Sequence, residues 1–310
     1  MNFGKKSIPF TPERDMPSLT DKVILVTGGN IGLGKQCILE YAKHNPALIW
    51  LAARNTQKAQ AAIEEIQAAL PTPATIKLLE LDLASLESVQ KAANIVLAES
   101  KRLDILMLNA GIMAAPPGLT NDGYETQWGT NYVGHALLAK LLIPLLDSTA
   151  AIPNADVRII TLSSYGHTYV PKPEGIKFET LSTDASELGP YERYGQSKLA
   201  MLLWARQAAK LYPQFTVAAI HPGLVRTNLM SSATGSSFLI RVLGKIAGWV
   251  VTPVDQGVRN QLWASVGKEV VSGEYYEPVG ISGMASDFGK DDELARKVWQ
   301  WTEDELKKWT

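Results

Sequence analysis

The sequence predicts an α/β fold: a doubly wound sheet of about seven mostly parallel strands, with helices on both faces. From Lys22 onward, short apolar segments alternate with longer segments of helical periodicity, an order typical of βαβ units. Several short segments are apolar without alternation, as expected for strands that helices bury on both faces. The length of 310 residues suits one large α/β domain, although ~150 residues per domain is more usual.

The short apolar segments are predicted to be strands and the periodic segments between them to be helices. The predicted strands are residues 22–27, 47–53, 76–81, 105–109, 157–163, 216–221 and 274–276. The predicted helices are residues 35–44, 56–69, 86–100, 121–146 and 194–211.

The domain organisation follows from composition along the chain. Residues 1–20 hold three prolines and little periodicity, which predicts an extended arm that leads into the domain. No repeat or shift in composition marks a second domain, so residues 21–310 are predicted to form a single one. Within it, residues 165–193 and 228–255 are predicted to be irregular excursions from the core.

The charge and cysteine content exclude several classes of function. A net charge of −1 leaves no overall basic field to attract nucleic acid or an anionic membrane. The single cysteine, Cys37, cannot form an internal disulfide, which fits a reducing compartment. The first apolar stretch, residues 23–26, is too short to span a bilayer, and no signal segment is recognised, so the predicted location is the cytoplasm.

A glycine-rich turn lies where the first predicted strand meets the first predicted helix. Gly28, Gly32 and Gly34 leave the backbone free of side chains, so it can approach a pyrophosphate closely. The following helix presents unpaired N–H groups and the positive end of its dipole. The turn predicts a Rossmann-type dinucleotide site, although glycines can also serve tight packing of a helix on a sheet.

The residues that follow the second and third predicted strands indicate the type of dinucleotide. An acid that would bind the ribose of NAD is absent after Ala53, and Arg54 stands there instead. Its guanidinium can pair with the 2′-phosphate of NADP, with Lys35 or Asn30 as a second donor. Arg54 can equally be a solvated loop cation. Asp82 can accept from the adenine amino group, cap a helix, or do both.

Tyr194 and Lys198 lie four residues apart in a predicted helix, which places both side chains on one face. A tyrosine titrates near pH ~10 and exchanges protons poorly at neutral pH unless a nearby cation favours its phenolate. Lys198 is predicted to supply that cation and so to lower the pKa of Tyr194. Taken alone, the pair also suits a surface tyrosine beside a lysine.

Together these motifs resemble the short-chain dehydrogenase/reductase family over about residues 20–280. The sequence is most similar to the retinol-dehydrogenase-like and WW-domain-oxidoreductase-like branch, on the strength of Thr130-Asn-Tyr-Val-Gly-His135. The motifs that carry the resemblance are Thr27-Gly-x-x-x-Gly-x-Gly34, Asn109-Ala-Gly111, Asn131, Ser164, Tyr194-x-x-x-Lys198 and Pro222-Gly223.

The resemblance implies a role for each catalytic residue. Tyr194 would be the general acid in reduction, and Ser164 would hold the substrate carbonyl by a hydrogen bond. Lys198 would lower the pKa of Tyr194 and bind the nicotinamide ribose, while Asn131 would position a water that connects Lys198 to solvent. Ser163 competes with Ser164, and the second serine is chosen because the family's catalytic serine follows the strand there.

The resemblance also implies the contacts with NADP(H), the expected cofactor. At Asn109 and Gly111, the alternative to a cofactor contact is a turn that binds no ligand. The full set of predicted cofactor contacts is Gly28, Asn30, Ile31, Gly32, Gly34, Lys35, Arg54, Asp82, Asn109, Ala110, Gly111, Tyr194, Lys198, Pro222, Gly223, Val225 and Thr227. No metal is expected, because the four histidines lack metal-ligand spacing.

The function implied is an NADP(H)-dependent carbonyl reductase, or the reverse alcohol dehydrogenase, that acts on an apolar small molecule. The resemblance implies that residues 228–255 form a lid over the substrate. Within this lid, residues 238–251 are apolar with two cations, which suggests an apolar ligand; contact of this segment with a membrane surface is disfavoured. A redox-neutral member of the family and a dinucleotide-sensing binding module without turnover are the two competing functions. By analogy with related folds, a homo-oligomer is also expected.

Overall fold

In a computed structural model, residues 7–225 and 252–310 are described, and they contain a seven-stranded sheet. Its strands are β1 Val23–Thr27, β2 Leu48–Ala53, β3 Ile76–Glu80, β4 Ile105–Leu108, β5 Arg158–Leu162, β6 Thr216–Ile220 and β7 Tyr275–Tyr276. Neighbouring strands pair in parallel in the order β3-β2-β1-β4-β5-β6-β7. The predicted Rossmann-type sheet is therefore confirmed.

Helices cover both faces of the sheet. The helices in the described residues are α1 Pro12–Asp15, α2 Gly32–Ala42, α3 Thr56–Ala69, α4 Leu86–Glu99, α5 Thr126–Trp128, α6 Gly134–Ala150, α7 Pro190–Leu211, α8 Val254–Gly257, α9 Arg259–Val266, α10 Asp287–Lys290 and α11 Asp292–Leu306. One face of the sheet packs against α4, α6, α7 and α11, and the other packs against α2, α3 and α9. A π-helical turn, Gly129–Val133, joins α5 to α6.

The apolar composition of β1 follows from its position between two helical layers. Every residue of the strand is buried. Leu25 belongs to the core beneath α4, α6 and α7, whereas Ile24 and Val26 belong to the core beneath α2 and α3. Because successive side chains of a strand point to opposite faces, a strand covered on both sides is apolar at every position.

The order of the strands locates the binding crevice. The chain builds β2 and β3 on one side of β1 and then crosses over to build β4 to β7 on the other side. At such a switch point the connections leave the carboxyl ends of β1 and β4 in opposite directions, which opens a crevice between them. The predicted site residues that follow β1 and β4 therefore flank one crevice.

The predicted strand bounds agree with the observed ones to within one residue at each end. Three helices differ by more than one residue, and the helix predicted to end at residue 146 ends at Ala150. The helix predicted to start at residue 121 starts at Thr126, because Thr120 and Tyr124 close a turn in which the Thr120 N–H donates to the Tyr124 carbonyl (2.8 Å). The helix predicted from residue 194 starts at Pro190, a residue suited to the first helical turn. The helix predicted as 35–44 is Gly32–Ala42.

The N-terminal segment is less extended than the sequence predicts. Residues Pro12–Asp15 form a helical turn, and Phe10, Met16 and Leu19 are buried in the core beneath α2 and α3. The three prolines in this segment disfavour a long helix but leave its apolar side chains free to pack. Residues 7–20 therefore join the core, and residues 1–6 lie outside the described part of the chain.

The helix Thr126–Ala150, which includes the π-helical turn, is long and apolar enough to cross a membrane by length and composition alone. In the fold, 61% of its most apolar window is buried inside the protein. Leu137, Leu138 and Leu142 of this helix have no exposed surface. The apolar composition is thus explained by packing in the core.

The C-terminal helices were not predicted from the sequence. Trp299 and Trp301 lie on α11, which packs against α7. Trp301 lies edge-on to Trp128 (5.4 Å between ring centroids) and to Tyr124 (5.9 Å), and Trp299 stacks on Trp204. These side chains attach the C-terminus to the helical layer that carries the predicted catalytic residues.

Replacing Trp301 by alanine should lower the free energy of unfolding by about 3 kcal/mol, because a large ring with two aromatic partners leaves a cavity. Urea unfolding followed by circular dichroism would measure the shift in midpoint. The control is Lys297→Ala on the same helix, whose exposed ion pair with Glu293 should contribute less than about 0.5 kcal/mol. Equal losses in both variants would contradict this account of α11.

Candidate active site

The glycine turn after β1 has the backbone conformation that a close-approaching ligand requires. Gly28 and Gly32 adopt positive φ angles of 66° and 54°, a region that side chains with a Cβ rarely occupy. A methyl group added at Gly34 would collide with the carbonyl oxygen of Gly28. The start of α2 therefore lies directly against the turn, as the sequence analysis expected.

The first turn of α2 is free to bind an anion. Ile31 precedes the helix in an extended conformation, is 49% exposed, and no side chain caps the helix start. The first N–H groups of an α-helix have no partner within the helix and carry the positive end of its dipole. This backbone, with Asn30 half-buried beside it, fits a dinucleotide pyrophosphate.

Thr27, the last residue of β1, joins the glycine turn to the end of β4. Its Oγ1 accepts the backbone N–H groups of Asn109 (2.9 Å) and Ala110 (3.0 Å). The Asn109 side chain donates to the Thr27 carbonyl (2.8 Å) and accepts from Gln261 of α9 (3.1 Å). The predicted Asn109-Ala-Gly111 segment is thus held against the turn, half-buried at the crevice.

His135 extends this set of hydrogen bonds to Asn131. Its Nε2 lies 2.8 Å from Thr27 Oγ1, and its Nδ1 lies 2.8 Å from the Asn131 carbonyl oxygen. Because Thr27 Oγ1 already accepts two N–H groups, its own proton is directed at Nε2, which leaves the imidazole proton on Nδ1. Burial lowers the pKa of His135 to about 3, so the ring is neutral. Sequence reasoning assigned this residue no role; its spacing of four from Asn131 was the available signal.

Tyr194 and Lys198 lie on α7, on one face as predicted, and both side chains are buried. Lys198 Nζ donates to the Leu162 carbonyl at the end of β5 (2.7 Å) and lies 5.8 Å from the centre of the Tyr194 ring. A methyl group added at Gly111 would lie 3.3 Å from Lys198 Nζ and 3.3 Å from Asn131 Oδ1. Lys198 of α7 therefore lies close to the ends of β4 and β5 and to the π-helical turn.

The Asn131 side chain is fully buried and makes three hydrogen bonds. Its Oδ1 accepts from the Ile112 backbone N–H (2.8 Å), while its Nδ2 donates to the Ile112 carbonyl (2.9 Å) and to Ser197 Oγ (2.9 Å). The π-helical turn widens the helix at this residue, a feature often found at functional sites. Asn131 thus fixes the loop after Gly111 against α7, and its predicted role toward a water stays a prediction.

The two candidate serines have different surroundings. Ser163 is buried, and its hydroxyl donates to the Lys198 carbonyl (2.7 Å). Ser164 is half-buried, and its Oγ accepts the Gly166 N–H (3.0 Å). Since that bond occupies a lone pair, the hydroxyl proton of Ser164 is free to donate elsewhere, whereas the proton of Ser163 is committed. The geometry favours the choice of Ser164.

Two glycines bring the Ser164 turn against the start of α7. A methyl group added at Gly166 would lie 2.7 Å from the Tyr194 ring, and one at Gly195 would collide with the Tyr169 carbonyl. Segment 164–169, although irregular, is therefore in direct contact with the helix turn that carries Tyr194. This contact places the Ser164 hydroxyl next to Tyr194, where its proximity acts to lower the pKa of the phenol.

The pKa of Tyr194 shifts in the direction opposite to the one the sequence predicted. Burial raises it to about 12, and the neighbouring Ser164 hydroxyl offsets only part of that rise. Burial also lowers the pKa of Lys198 to about 8. The predicted influence of Lys198 does not outweigh burial, because the amine is itself desolvated and donates to the Leu162 carbonyl instead of the phenol oxygen.

The residues predicted to read the adenosine half lie at the ends of β2 and β3. The Gly29 N–H donates to the Ala52 carbonyl (3.2 Å), which holds the end of β2 beside the glycine turn. Arg54, the residue after β2, is therefore close to this turn, and it is exposed to solvent. Lys35, the proposed second donor, is paired with Glu65 of α3. Asp82 Oδ1 accepts the Ala84 N–H (3.0 Å), a turn-stabilising role that leaves its other oxygen available.

The segment after β6 contributes the last predicted contacts. Pro222 is half-buried, Gly223 is exposed with a φ of 86° and open space around it, and Val225 pairs with Thr252. A methyl group at Gly257 of α8 would strike the Val225 side chain, so this segment rests on the helix that follows the predicted lid. Thr227 and residues 228–251 of that lid lie outside the described residues.

His221 is buried directly after β6. Its backbone N–H donates to the Tyr276 carbonyl (3.0 Å), and its own carbonyl accepts from Asn260 of α9 (2.9 Å). Burial, with smaller contributions from His167 and Lys198, lowers its pKa to about 4. In residues 7–225 and 252–310, no group of three or more His, Cys, Asp or Glu is arranged to hold a metal.

The fold and the site together define a dinucleotide-binding α/β protein with a buried tyrosine–lysine pair beside a serine at the binding crevice. Comparison with known proteins agrees. A family model described as short chain dehydrogenase matches residues 22–173. Over 97% of its length the chain is 37% identical to short-chain dehydrogenase/reductase drtF of Aspergillus calidoustus, covering 98% of that protein. The chain therefore belongs to the short-chain dehydrogenase/reductase family of oxidoreductases.

Further relatives agree with the retinol-dehydrogenase-like branch. Human retinol dehydrogenase 13 is 34% identical, with 91% of this chain and 83% of that protein covered. Among solved structures, an uncharacterized protein from Mycobacterium paratuberculosis has a TM-score of 0.74 at 29% identity, with 96% and 97% of the two chains covered. A short-chain dehydrogenase from Shigella flexneri, solved with NADP, shares the fold at a TM-score of 0.62 and 20% identity, over 84% and 98% of the chains.

Lys198 should titrate near pH 8, well below the ~10.4 of an exposed lysine, because its buried ammonium is poorly solvated. Its amine is thus protonated below pH 8 and neutral above. Carbon-13 NMR of protein labelled at lysine Cε would follow the titration, with Lys198→Met assigning the signal. Exposed Lys297 is the internal control. A Lys198 signal that titrates together with the surface lysines would contradict the desolvated site.

Proposed function

We propose that this protein is an NADP(H)-dependent oxidoreductase that transfers a hydride between the nicotinamide and the carbonyl or alcohol carbon of an apolar small molecule. The observation that carries the proposal is the convergence of Tyr194, Ser164, Lys198 and Asn131 at one end of the crevice whose other side is the glycine turn. The bound nicotinamide would supply the hydride.

The chain's own residues act on the carbonyl oxygen. As the carbon is reduced, negative charge grows on that oxygen, and donors already aimed at it stabilise the transition state more than the substrate. Tyr194 donates its phenol proton to the oxygen, and the free hydroxyl proton of Ser164 donates a second hydrogen bond. In alcohol oxidation the same groups act in reverse.

Proton transfer from Tyr194 needs help, because a phenol of pKa about 12 is a weak acid at neutral pH. Lys198 is the nearby group whose charge can change at physiological pH, since its pKa is about 8. A protonated Lys198 favours the phenolate that remains after proton transfer.

The preference for NADP(H) rests on Arg54 at the end of β2. Its side chain is exposed beside the glycine turn and, within the described residues, makes no ion pair, so its donors are free for a 2′-phosphate. Lys35 is less available, because Glu65 competes with the phosphate for its ammonium. Arg54 is therefore proposed as the principal phosphate ligand and Lys35 as a secondary one.

An apolar substrate is supported by the apolar composition of residues 228–251 and by the name of the relative retinol dehydrogenase 13. The cytoplasmic location and the homo-oligomer stay predictions. A redox-neutral enzyme and a dinucleotide-sensing module are the competing functions, and the absence of net turnover despite cofactor binding would favour them.

The purified protein should oxidise NADPH, and NADH poorly, with members of a panel that runs from straight-chain aldehydes to polycyclic ketones. Tyr194→Phe should lower kcat by ~10²–10⁴-fold, because it removes the proton donor and keeps the ring. Absorbance at the reduced nicotinamide band measures both. Tyr191→Phe, half-buried on the same helix, is the control and should retain activity. Undiminished turnover in Tyr194→Phe would overturn the assignment of the acid.

Arg54→Gln should weaken NADPH binding ~10–100-fold and leave NADH binding within about twofold, because the charge-assisted hydrogen bonds go only to the 2′-phosphate. Fluorescence titration of the reduced cofactors gives both dissociation constants. Lys58→Gln, exposed on α3, controls for the loss of a surface charge.

Glu65→Gln separates the two proposed phosphate ligands. If Lys35 also binds the phosphate, releasing it from Glu65 should tighten NADPH binding several-fold without affecting NADH. If Arg54→Gln weakened the binding of NADPH and NADH equally, Arg54 would not be a ligand of the 2′-phosphate.

A further inference from the structure

His167 lies three residues after Ser164, inside the irregular segment between the predicted serine and the predicted tyrosine. It belongs to a short 3-10 helix, Tyr165–Thr168, and its side chain has no exposed surface. Its Nδ1 lies 2.6 Å from the Ser164 carbonyl oxygen. Its Nε2 lies 3.0 Å from the backbone nitrogen of Ser286, 119 residues further along the chain.

The two partners fix the protonation of the ring. A backbone N–H can only donate, so Nε2 must accept the proton of Ser286. The single proton of the neutral imidazole therefore lies on Nδ1 and donates to the Ser164 carbonyl. Burial lowers the pKa of His167, which favours the same neutral form. Each ring nitrogen thus has one defined partner, one on each side of the imidazole.

Ser286 is itself held firmly, so the imidazole has a fixed support. Ser286 caps α10, where its Oγ accepts the Gly289 N–H (3.2 Å). Phe288, two residues after Ser286, packs closely on Gly175 in the loop before α7. A methyl group added at Gly175 would lie 2.8 Å from the Phe288 ring. Gly289 meets Leu202 of α7. The chain around Ser286 therefore rests on both the loop and the helix that carries Tyr194.

The Ser164 end of the linkage is the backbone of the turn that aims the serine hydroxyl. The Ser164 carbonyl accepts both the backbone N–H of His167 (3.0 Å) and the imidazole Nδ1–H. The Oγ of the same residue accepts the Gly166 N–H. Because the orientation of the peptide and that of the hydroxyl are set by one short turn, tilting the carbonyl would also displace Oγ.

We propose that His167 is a positioning residue, which holds the Ser164 hydroxyl in its donating orientation by linking the Ser164 carbonyl to the Ser286 backbone. The proposal rests on the proposed function, since Ser164 matters as a donor to the substrate oxygen. Tyr275, whose ring lies edge-on to His167 at 5.0 Å, keeps the imidazole in its plane. Loss of the hydrogen bond from His167 Nδ1–H to the Ser164 carbonyl should therefore affect the chemical step through Ser164.

Two substitutions separate the hydrogen bonds of the ring. In His167→Asn the side-chain amide reaches the position of Nδ1 and can donate to Ser164, but the bond to Ser286 is lost. In His167→Gln the amide oxygen reaches the position of Nε2 and can accept from Ser286, but the bond to Ser164 is lost. We expect kcat to fall ~10-fold or more in His167→Gln and only ~3-fold in His167→Asn.

The controls distinguish positioning from a general structural effect. The dissociation constant for NADPH should change less than about twofold in either variant, because His167 does not border the glycine turn. In a Ser164→Ala background, His167→Gln should produce no further loss in kcat, since the group it positions is gone. His44→Gln, after α2 and outside the site, controls for loss of an imidazole.

Equal losses in the Asn and Gln variants, or losses that add to that of Ser164→Ala, would overturn the proposal and leave His167 a packing residue. A second readout does not depend on turnover: the Gly166 amide, which donates to Ser164 Oγ, should exchange with deuterium ~10-fold faster in His167→Gln than in the wild type or His167→Asn. If the wild type reduces no carbonyl, the proposed function fails, and this exchange rate alone decides the role of His167. Unchanged Gly166 exchange in His167→Gln would refute it.

Discussion

The hydroxyl of Thr27 is the hydrogen-bonding centre on which the two halves of the site depend. It lies at the end of β1, where the order of strands in the sheet reverses, and it accepts the N–H groups of Asn109 and Ala110 at the end of β4. Through His135 it also reaches the carbonyl of Asn131. A buried hydroxyl with three satisfied partners fixes its neighbours closely, because leaving any partner unsatisfied would cost about 1–3 kcal/mol. The glycine turn and the proton-transfer residues are therefore positioned by the same atom.

Burial controls the electrostatics of the site more than pairing does. Burial removes water from the phenol of Tyr194 and the amine of Lys198, which raises the pKa of the phenol and lowers the pKa of the amine. Both shifts favour the neutral form of the group. The imidazoles of His135 and His221 are likewise held neutral. Because burial favours the uncharged forms of these four groups, a new charge in the site is poorly screened and interacts strongly with them. An oxygen that becomes negative during reduction is such a charge.

The parts of the site that could be predicted are those in which the chemistry lies within one short segment. The spacing of Tyr194 and Lys198 follows from the geometry of a single helix. The glycine turn follows from the backbone freedom that Gly28 and Gly32 supply. The parts that could not be predicted join distant segments. The ion pair between Lys35 and Glu65, the tautomer of His135 and the contact of His167 with Ser286 all depend on which loops meet in space. The start of the helix at Thr126 was missed because turn chemistry overrode an apolar pattern.

The sequence by itself determined the sheet, the place of the crevice and the residue types available to it. Strands buried on both faces must be apolar, and glycines between a strand and a helix supply the backbone conformation of the turn, so these features can be predicted from local sequence. The tertiary structure decided the protonation of those residues and which of them can donate. The predicted direction of the Tyr194 pKa shift was wrong, because desolvation and the reach of Lys198 toward Leu162 depend on packing between β5 and α7. Spacing along a chain fixes which side chains share a face, but the water around them is removed only by the fold.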